Sequence, residues 1–478
     1  MSADLLRPGS AHLVILGGGS GAFAAAIRAA ELGARVTMVE RGTMGGTCVN
    51  RGCVPSKTLI RAAEIRHLLA HHPFQGMPRG EAGPVDMSRL TAHKDELVER
   101  LRDTKYADVL GAYPDVEYVE GDGRLTGEKS VEVHLGDGGV RQLTADRILI
   151  ATGAGPRIPA LPGIDEVPYW TNEEALSAGE VPSSLLVAGG GPVGVELAQL
   201  FARLGSRVAL VAPVLLRPAD PELSDALGAC LRQEGIEVRT GVRLQAIEPT
   251  ESGIRARIGR NDGEPRSVEA DRLLLAVGRR PNTFGLGLED IGVPVTERGF
   301  IEVDAELRAG PSHIFAVGDC TTLPEFVYVA ARAGSLAAEN AVGEGGAKLD
   351  LSAMPSVVFT DPQAAWVGLT EAEAAGRGEP IVTRSLGREN VPRALANRDT
   401  RGFIKIVARE SDGRVLGVHV LSPAGGEVIQ TAALAVKQRL TTRDLAEMLF
   451  PYLTEVEGLR LAAQTFTRRV DRLSCCAG

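Results

Sequence analysis

Six cysteines are distributed along a chain of 478 residues, and four of them fall into two close pairs, Cys48 with Cys53 and Cys475 with Cys476. Paired thiols can make and break a disulfide, attack as thiolates, or ligate a soft cation. A chain this large has no need of disulfide staples, so close pairs point to redox or metal chemistry rather than to a scaffold. The terminal pair stands in Leu473-Ser-Cys-Cys-Ala-Gly. Neighbouring Cα atoms are about 3.8 Å apart, short of the roughly 4.4 Å at which disulfides begin to be common. A bridge there is strained, which leaves both sulfurs available to a thiophilic metal. Cys230, in a helical run, and Cys320, closing an apolar strand, read as small buried side chains.

Cys48 and Cys53 lie in Gly45-Gly-Thr-Cys-Val-Asn-Arg-Gly-Cys-Val-Pro-Ser-Lys57. Five positions at 100° each amount to about 500°, so one regular helix would turn the two sulfurs to different faces. Cys48 is therefore expected in irregular backbone, for which Asn50 and Gly52 are suited. Pro55 fits the first turn of a following helix, which places Cys53 at or just before that helix's N-terminus. The partial positive charge there favours thiolate over thiol. Lys57, one turn on, adds a cation on the same face.

Larger elements must hold this loop. It follows an apolar strand, a glycine turn, a helix and a second strand, with Gly17-x-Gly19-x-x-Ala22 in the turn and Glu40 closing the second strand. Glycines let the backbone approach a pyrophosphate, the helix N-terminus offers N–H groups to it, and the acid can hold a ribose hydroxyl. The unit recurs with Gly189-x-Gly191-x-x-Gly194, but its second strand ends Val211-Ala212-Pro213 with no acid. A missing acid removes repulsion of a 2′-phosphate and leans towards NADPH, with Arg207 and Arg217 as candidate phosphate partners. Two such units imply two dinucleotides, FAD and a nicotinamide being a plausible pairing. The strands before Ala151-Thr-Gly153 and Gly318-Asp319 read as returns of the chain to the first unit.

Composition bounds the alternatives. With 44% hydrophobic and 24% charged residues the chain is an ordinary globular one. A net charge of −9, from 52 basic and 61 acidic side chains, argues against a nucleic-acid partner. No apolar run reaches the ~18 residues of a membrane helix. The first residues lack a basic n-region. These features give the expectation of a cytoplasmic protein without membrane insertion.

Together, the Gly17–Ala22 turn, the Cys48–Cys53 loop, the second glycine turn, Phe315-Ala-Val-Gly-Asp-Cys320 and the segment from Pro355 to Ala374 resemble the flavin-dependent pyridine nucleotide–disulfide oxidoreductases across essentially the whole chain. The resemblance implies an α/β fold. It has two Rossmann-like domains for FAD and NAD(P)H, plus an α+β C-terminal dimerisation domain. The implied domains are an FAD-binding first part at 1–150, an NAD(P)H-binding domain at 151–280, the FAD return segment at 281–348 and a dimerisation domain at 349–478 with the Cys-Cys tail. It implies a homodimer whose active sites combine groups from both subunits. By position, Cys53 is the thiolate against the flavin and Cys48 its partner facing substrate. Lys57 approaches the flavin with Glu196 as its acidic counterpart. Gly17, Gly19, Ala22, Glu40, Thr47, Gly123 and Asp319 contact FAD.

Disulfide-reducing members carry a His followed five residues later by a Glu, a pair that shuttles a proton to the leaving thiol. Here Glu457 is present, but the His position is Tyr452, and the last of eight histidines is His419. Tyrosine, with a free pKa of about 10, is a poor base at neutral pH. Tyr452, its Phe450-Pro-Tyr-Leu-Thr context and the terminal thiols are similar to the mercury(II)-reducing branch of the family. That resemblance implies that Cys475 and Cys476 of one subunit bind Hg(II) and pass it to Cys48 and Cys53 of the other. The ion is then reduced at the expense of NADPH through FAD, with Tyr452 bordering it. The alternatives are a disulfide reductase of the dihydrolipoamide dehydrogenase or glutathione reductase type, and a non-catalytic flavoprotein that sequesters soft metal.

Overall fold

The computed structural model describes residues 11–81, 83–260 and 266–473. It divides into two compact units, one of residues 1–58, 89–157 and 278–349, the other of 59–88, 158–277 and 350–478.

The first unit is built on a seven-stranded sheet. Its centre is β1 (His12–Leu16), paired in parallel with β2 (Arg35–Glu40) on one side and with Arg147–Ile150 on the other. Ile314–Ala316 extends the parallel array beyond Arg147–Ile150. On the opposite flank Val116–Gly127 pairs in parallel with β2 and then turns back into two antiparallel strands, Ser130–Leu135 and Val140–Thr144. After His12, β1 is apolar because both its faces are covered. Leu13 and Ile15 pack with Ala22, Ala25, Ala26 and Ala29 of α1 (Ser20–Glu31), while Val14 and Leu16 pack with Val119, Val131 and Val133. The small alanine face lets α1 lie close on the sheet, so its N-terminus stands at the carboxyl edge of β1. Two further helices follow β2: α2 (Gly46–Arg51) and α3 (Cys53–His71).

In the second unit a five-stranded parallel sheet runs in the order Glu237–Thr240, Arg207–Ala212, Ser184–Ala188, Arg272–Leu275, Tyr169–Trp170. The helix Pro192–Leu204 follows Ser184–Ala188, with Gly191 as N-cap and Pro at its first turn. A three-stranded antiparallel sheet, Arg243–Thr250, Gly253–Gly259 and Arg266–Ala270, seals one face through Ile247, Ile254, Ile258 and Val268. The same unit contains a five-stranded antiparallel sheet from Pro355 to Ser422. Helices Gly425–Lys437 and Glu457–Gln464 pack on it through Val428, Ile429, Leu459 and Leu461. Among the described residues no helix is long and apolar enough to cross a membrane.

Candidate functional site

The turn after β1 and the cysteine loop press against each other backbone to backbone. Gly17 has φ +120°, and a Cβ there would lie 2.3 Å from the Ala151 carbonyl oxygen. Gly46 has φ +62°, and a Cβ there would lie 2.6 Å from Gly19 Cα. The Gly45 N–H donates to the Gly18 carbonyl at 2.9 Å. Glycine at 46 is what lets the thiol-bearing loop touch the dinucleotide turn, and glycine at 17 lets that turn pass close to Ala151.

Cys48 does not sit in irregular backbone, contrary to the expectation from spacing. It lies in α2, whose start is braced by the Asn50 side-chain amide donating to the Met44 and Gly46 carbonyls, both at 2.9 Å. Gly52, at φ −133° and ψ −105°, breaks the path, and α3 starts afresh at Cys53. The phase argument assumed one continuous helix. Two helices meeting at a kink, the first of six residues, bring the sulfurs into hydrogen-bond contact instead. Cys53 stands at the first position of α3, and Pro55 falls in its first turn.

Both cysteines are half-buried thiols without a disulfide. The Cys48 thiol is pushed far up, first by its hydrogen bond to the Cys53 sulfur and then by burial; the Cys53 backbone N–H and Lys57 pull the other way. The hydrogen bond thus opposes ionisation of Cys48, while Cys53 stands at a helix N-terminus, where negative charge is favoured.

Sequence reasoning missed Tyr106. It belongs to a π-helical turn, Asp103–Ala107, wedged between Met87–Arg102 and Asp108–Gly111. Such turns cluster at functional sites. Its ring lies 4.7 Å from that of Phe23, and its edge would be 3.6 Å from a Cβ at Gly45. Burial raises the phenol's pKa, a hydrogen bond with the Ser20 side chain lowers it, and the charges of Cys48 and Cys53 raise it further. The phenol thus stays protonated near the thiol pair. In sequence it stands in a charged helical run, and no local pattern singles it out.

The residues around this turn fit an adenine dinucleotide. Glu40, closing β2, accepts the Gly18 and Gly42 N–H groups at 2.5 and 2.7 Å. A small cavity beside it is lined by Gly17, Glu40, Gly123, Thr152 and Asn282, among others. The Thr152 hydroxyl and Arg279 Nε are buried without a hydrogen-bond partner. Asp319, 3.5 Å from Arg279 Nε, is raised by burial more than Arg279 lowers it. Ala22 is fully buried under the turn, and Thr47 is the residue before Cys48 in α2.

The second glycine turn has the same build. Gly189 has φ +129°, Gly191 caps the helix, and a Cβ at Gly194 would lie 1.9 Å from the Gly189 carbonyl oxygen. Arg207 opens the strand Arg207–Ala212 at the edge opposite the turn. At ~3.3 Å per residue that is about 16 Å from the strand's other end, so it is withdrawn as a phosphate partner. Arg217, exposed in the loop beyond the strand, stands at the correct edge. Glu196 is buried, and its carboxylate accepts the Phe359 N–H at 2.9 Å.

Glu457 is 1% exposed, and its carboxylate accepts the Leu453 N–H at 3.1 Å and faces Arg460 at 3.5 Å. It braces the turn that presents Tyr452, which is 57% exposed. Below the turn, fully buried Arg388 pairs with Glu455 at 2.7 Å, and the Ser422 hydroxyl donates to the same carboxylate. Cys475 and Cys476 lie outside the described residues. Among those described, no group of three or more His, Cys, Asp or Glu side chains could hold a metal ion.

Comparison with known proteins adds to this geometry. Residues 11–334 match the family described as pyridine nucleotide-disulphide oxidoreductase, and residues 354–463 match its dimerisation domain. A mercuric reductase of Shigella flexneri is 49% identical over 98% of this chain and 83% of its own. One from Streptomyces lividans is 48% identical over 98% of both chains. Among solved structures, a Cu(II) complex of the HOCl-induced flavoprotein disulfide reductase RclA from Escherichia coli superposes with a TM-score of 0.85 at 29% identity. It covers 96% of this chain and 100% of that one. LpdA from Mycobacterium tuberculosis gives 0.84 at 30% identity over the same shares.

Proposed function

The chain belongs to the pyridine nucleotide-disulphide oxidoreductase family, and on that premise we propose that it reduces Hg(II) to elemental mercury with electrons from NADPH, carried by FAD to the Cys48–Cys53 pair. The observation that carries the reading is the naming of curated relatives, 43–49% identical over nearly the whole chain, as mercuric reductases. The exchange of the proton-shuttling His for Tyr452 is in keeping with it. FAD, when bound, supplies hydride acceptance from NADPH and an electron pair for the metal.

The chain's own groups do the rest. Gly17, Gly19, Ala22, Glu40, Thr47, Gly123 and Asp319 hold FAD, and Gly189, Gly191 and Gly194 hold NADPH. Lys57, with Glu196 as its acidic counterpart, serves the flavin end. Cys475 and Cys476 of one subunit take Hg(II) from small thiols and pass it to Cys48 and Cys53 of the other. Each transfer exchanges one Hg–S bond for another, and the proton on the incoming thiol ends on the departing one. Cys53, favoured as thiolate, receives the ion readily, while Cys48 must give up its proton. Reducing a thiolate-bound ion protonates no leaving sulfur in the redox step itself, so a His–Glu base is dispensable and Glu457 is left to hold the Tyr452 turn. The dimerisation domain supplies the second subunit. NADPH and small thiols are abundant in the cytoplasm, where we place the reaction.

The test is anaerobic NADPH oxidation with Hg(II) in excess thiol, set against lipoamide or glutathione disulfide as acceptor. Oxidation driven by Hg(II), with disulfides turned over at least about tenfold more slowly, is the expected result. Brisk disulfide turnover with no response to Hg(II) would assign the chain to the disulfide reductases.

A further inference from the structure

The chain carries a net charge of −9, so its average field repels anions. One surface reverses that sign. Residues 465–473, which follow the helix Glu457–Gln464, contain Arg468, Arg469 and Arg472 against a single acid, Asp471. The segment is fastened at both ends: Phe466 and Leu473 pack against the core of the antiparallel sheet and its helices. Backbone bonds from Arg468 N to Gln464 O, at 2.9 Å, and from Arg472 N to Arg469 O, at 3.0 Å, fix the path between them. Thr467 to Arg472 are exposed. Arg469 is paired with Asp471 at 3.1 Å, and by charge count the segment holds three arginines to one acid. A further cation arrives from a different element: exposed Arg384, on the strand Ile381–Gly387, sets its guanidinium 6.0 Å from the Phe466 ring centroid. In sequence, Cys475 comes three residues after Arg472.

We propose that Arg384, Arg468, Arg469 and Arg472 form a docking surface for anionic Hg(II) dithiolates, so that the favoured substrate is the ion carried by small thiols bearing carboxylates. The inference rests on the Hg(II) reading above and names its substrate class. A bis-thiolate of Hg(II) is neutral at the metal, so its net charge is that of the thiols' other groups. Thiols with more carboxylates than ammonium groups make it an anion, which guanidinium groups recognise by charge and by paired hydrogen bonds. An ordered positive surface a few residues before Cys475 in the chain raises the local concentration of such anions and their rate of encounter. Exchange then follows with both protein thiol protons transferred to the two departing small thiols.

The experiment uses the flavin-loaded dimer and three probes: Hg(II) bis-3-mercaptopropionate, a dianion; bis-2-mercaptoethanol, neutral; and bis-cysteamine, a dication. Release of the small thiol, followed without NADPH, reads docking and exchange alone, while NADPH oxidation reads the reduction. The dianion should exchange about tenfold faster than the neutral complex at low salt. The preference should fade as the ionic strength passes about 0.1 M, where the Debye length is ~10 Å. Arg468→Gln/Arg469→Gln/Arg472→Gln should bring the three probes together, and Asp471→Asn, a milder change, should widen the gap. Probe ratios and salt slopes unchanged in both variants would overturn the proposal. Charge-selective thiol release with no NADPH oxidation would support the docking surface and refute the reductase reading instead.

Discussion

One hydrogen bond makes Cys48 and Cys53 unequal. The sulfur-to-sulfur contact pushes the Cys48 thiol up, so in Cys53→Ser the remaining thiol should titrate at lower pH than it does in the wild type. Ultraviolet thiolate absorbance of the reduced protein reads this directly, and an unchanged titration would mean that burial alone sets Cys48. The sign carries over to capture: a thiol whose pKa is raised must lose a proton to bind Hg(II), so exchange onto Cys48 should speed up with pH. Tyr106 offers a second test. Tyr106→Phe keeps the ring against Phe23 and removes the hydroxyl beside the thiols. If the hydroxyl acts on the reacting thiols, turnover falls roughly tenfold, about 1.4 kcal/mol, while loss of its hydrogen bond with the Ser20 side chain lowers the melting temperature by no more than a few degrees and flavin content is unchanged. A parallel loss of flavin would make Tyr106 a packing residue. At this scale the sequence disclosed residues whose neighbours are close in the chain, such as Glu40 and Cys53. Tyr106 was hidden because its approach to the thiols depends on a segment some fifty residues away along the chain folding back.

Elements decide where those residues can act. The glycine turns, the strand ends and the restart of a helix at Cys53 were legible because tight turns and helix starts demand particular residue types in short order. Two readings failed at this scale. Cys48 was denied a helix because a single helix was assumed, when Gly52 makes two. Arg207 was put near a phosphate because it is close in sequence to the second turn, when a six-residue strand separates the two. The contact between cysteine loop and dinucleotide turn gives the sharpest test here. A Cβ on Gly46 would meet backbone at Gly19, not a side chain that could swing away. Gly46→Ala should cost about 1–3 kcal/mol in strain, seen as loss of bound flavin and a melting temperature lower by several degrees. Full flavin occupancy in that variant would show that the two loops are not mutually dependent.

The whole molecule joins two dinucleotide units to a dimerisation domain, and each has its own sheet. Family membership was legible because the motifs recur over the entire length. The role proposed for the tail comes from combining Cys475 and Cys476 with Tyr452, far from the inner pair in sequence. The central claim is that sulfurs relay a thiophilic ion inward to where a flavin can discharge it. It is tested most directly by collecting mercury vapour from anaerobic reactions supplied with NADPH and Hg(II) in excess thiol. Vapour is expected in amounts equal to the NADPH consumed, with a fall of at least about tenfold in Cys475→Ala/Cys476→Ala despite a normally reducible flavin. NADPH consumed without vapour, or an undiminished yield from that variant, would contradict it.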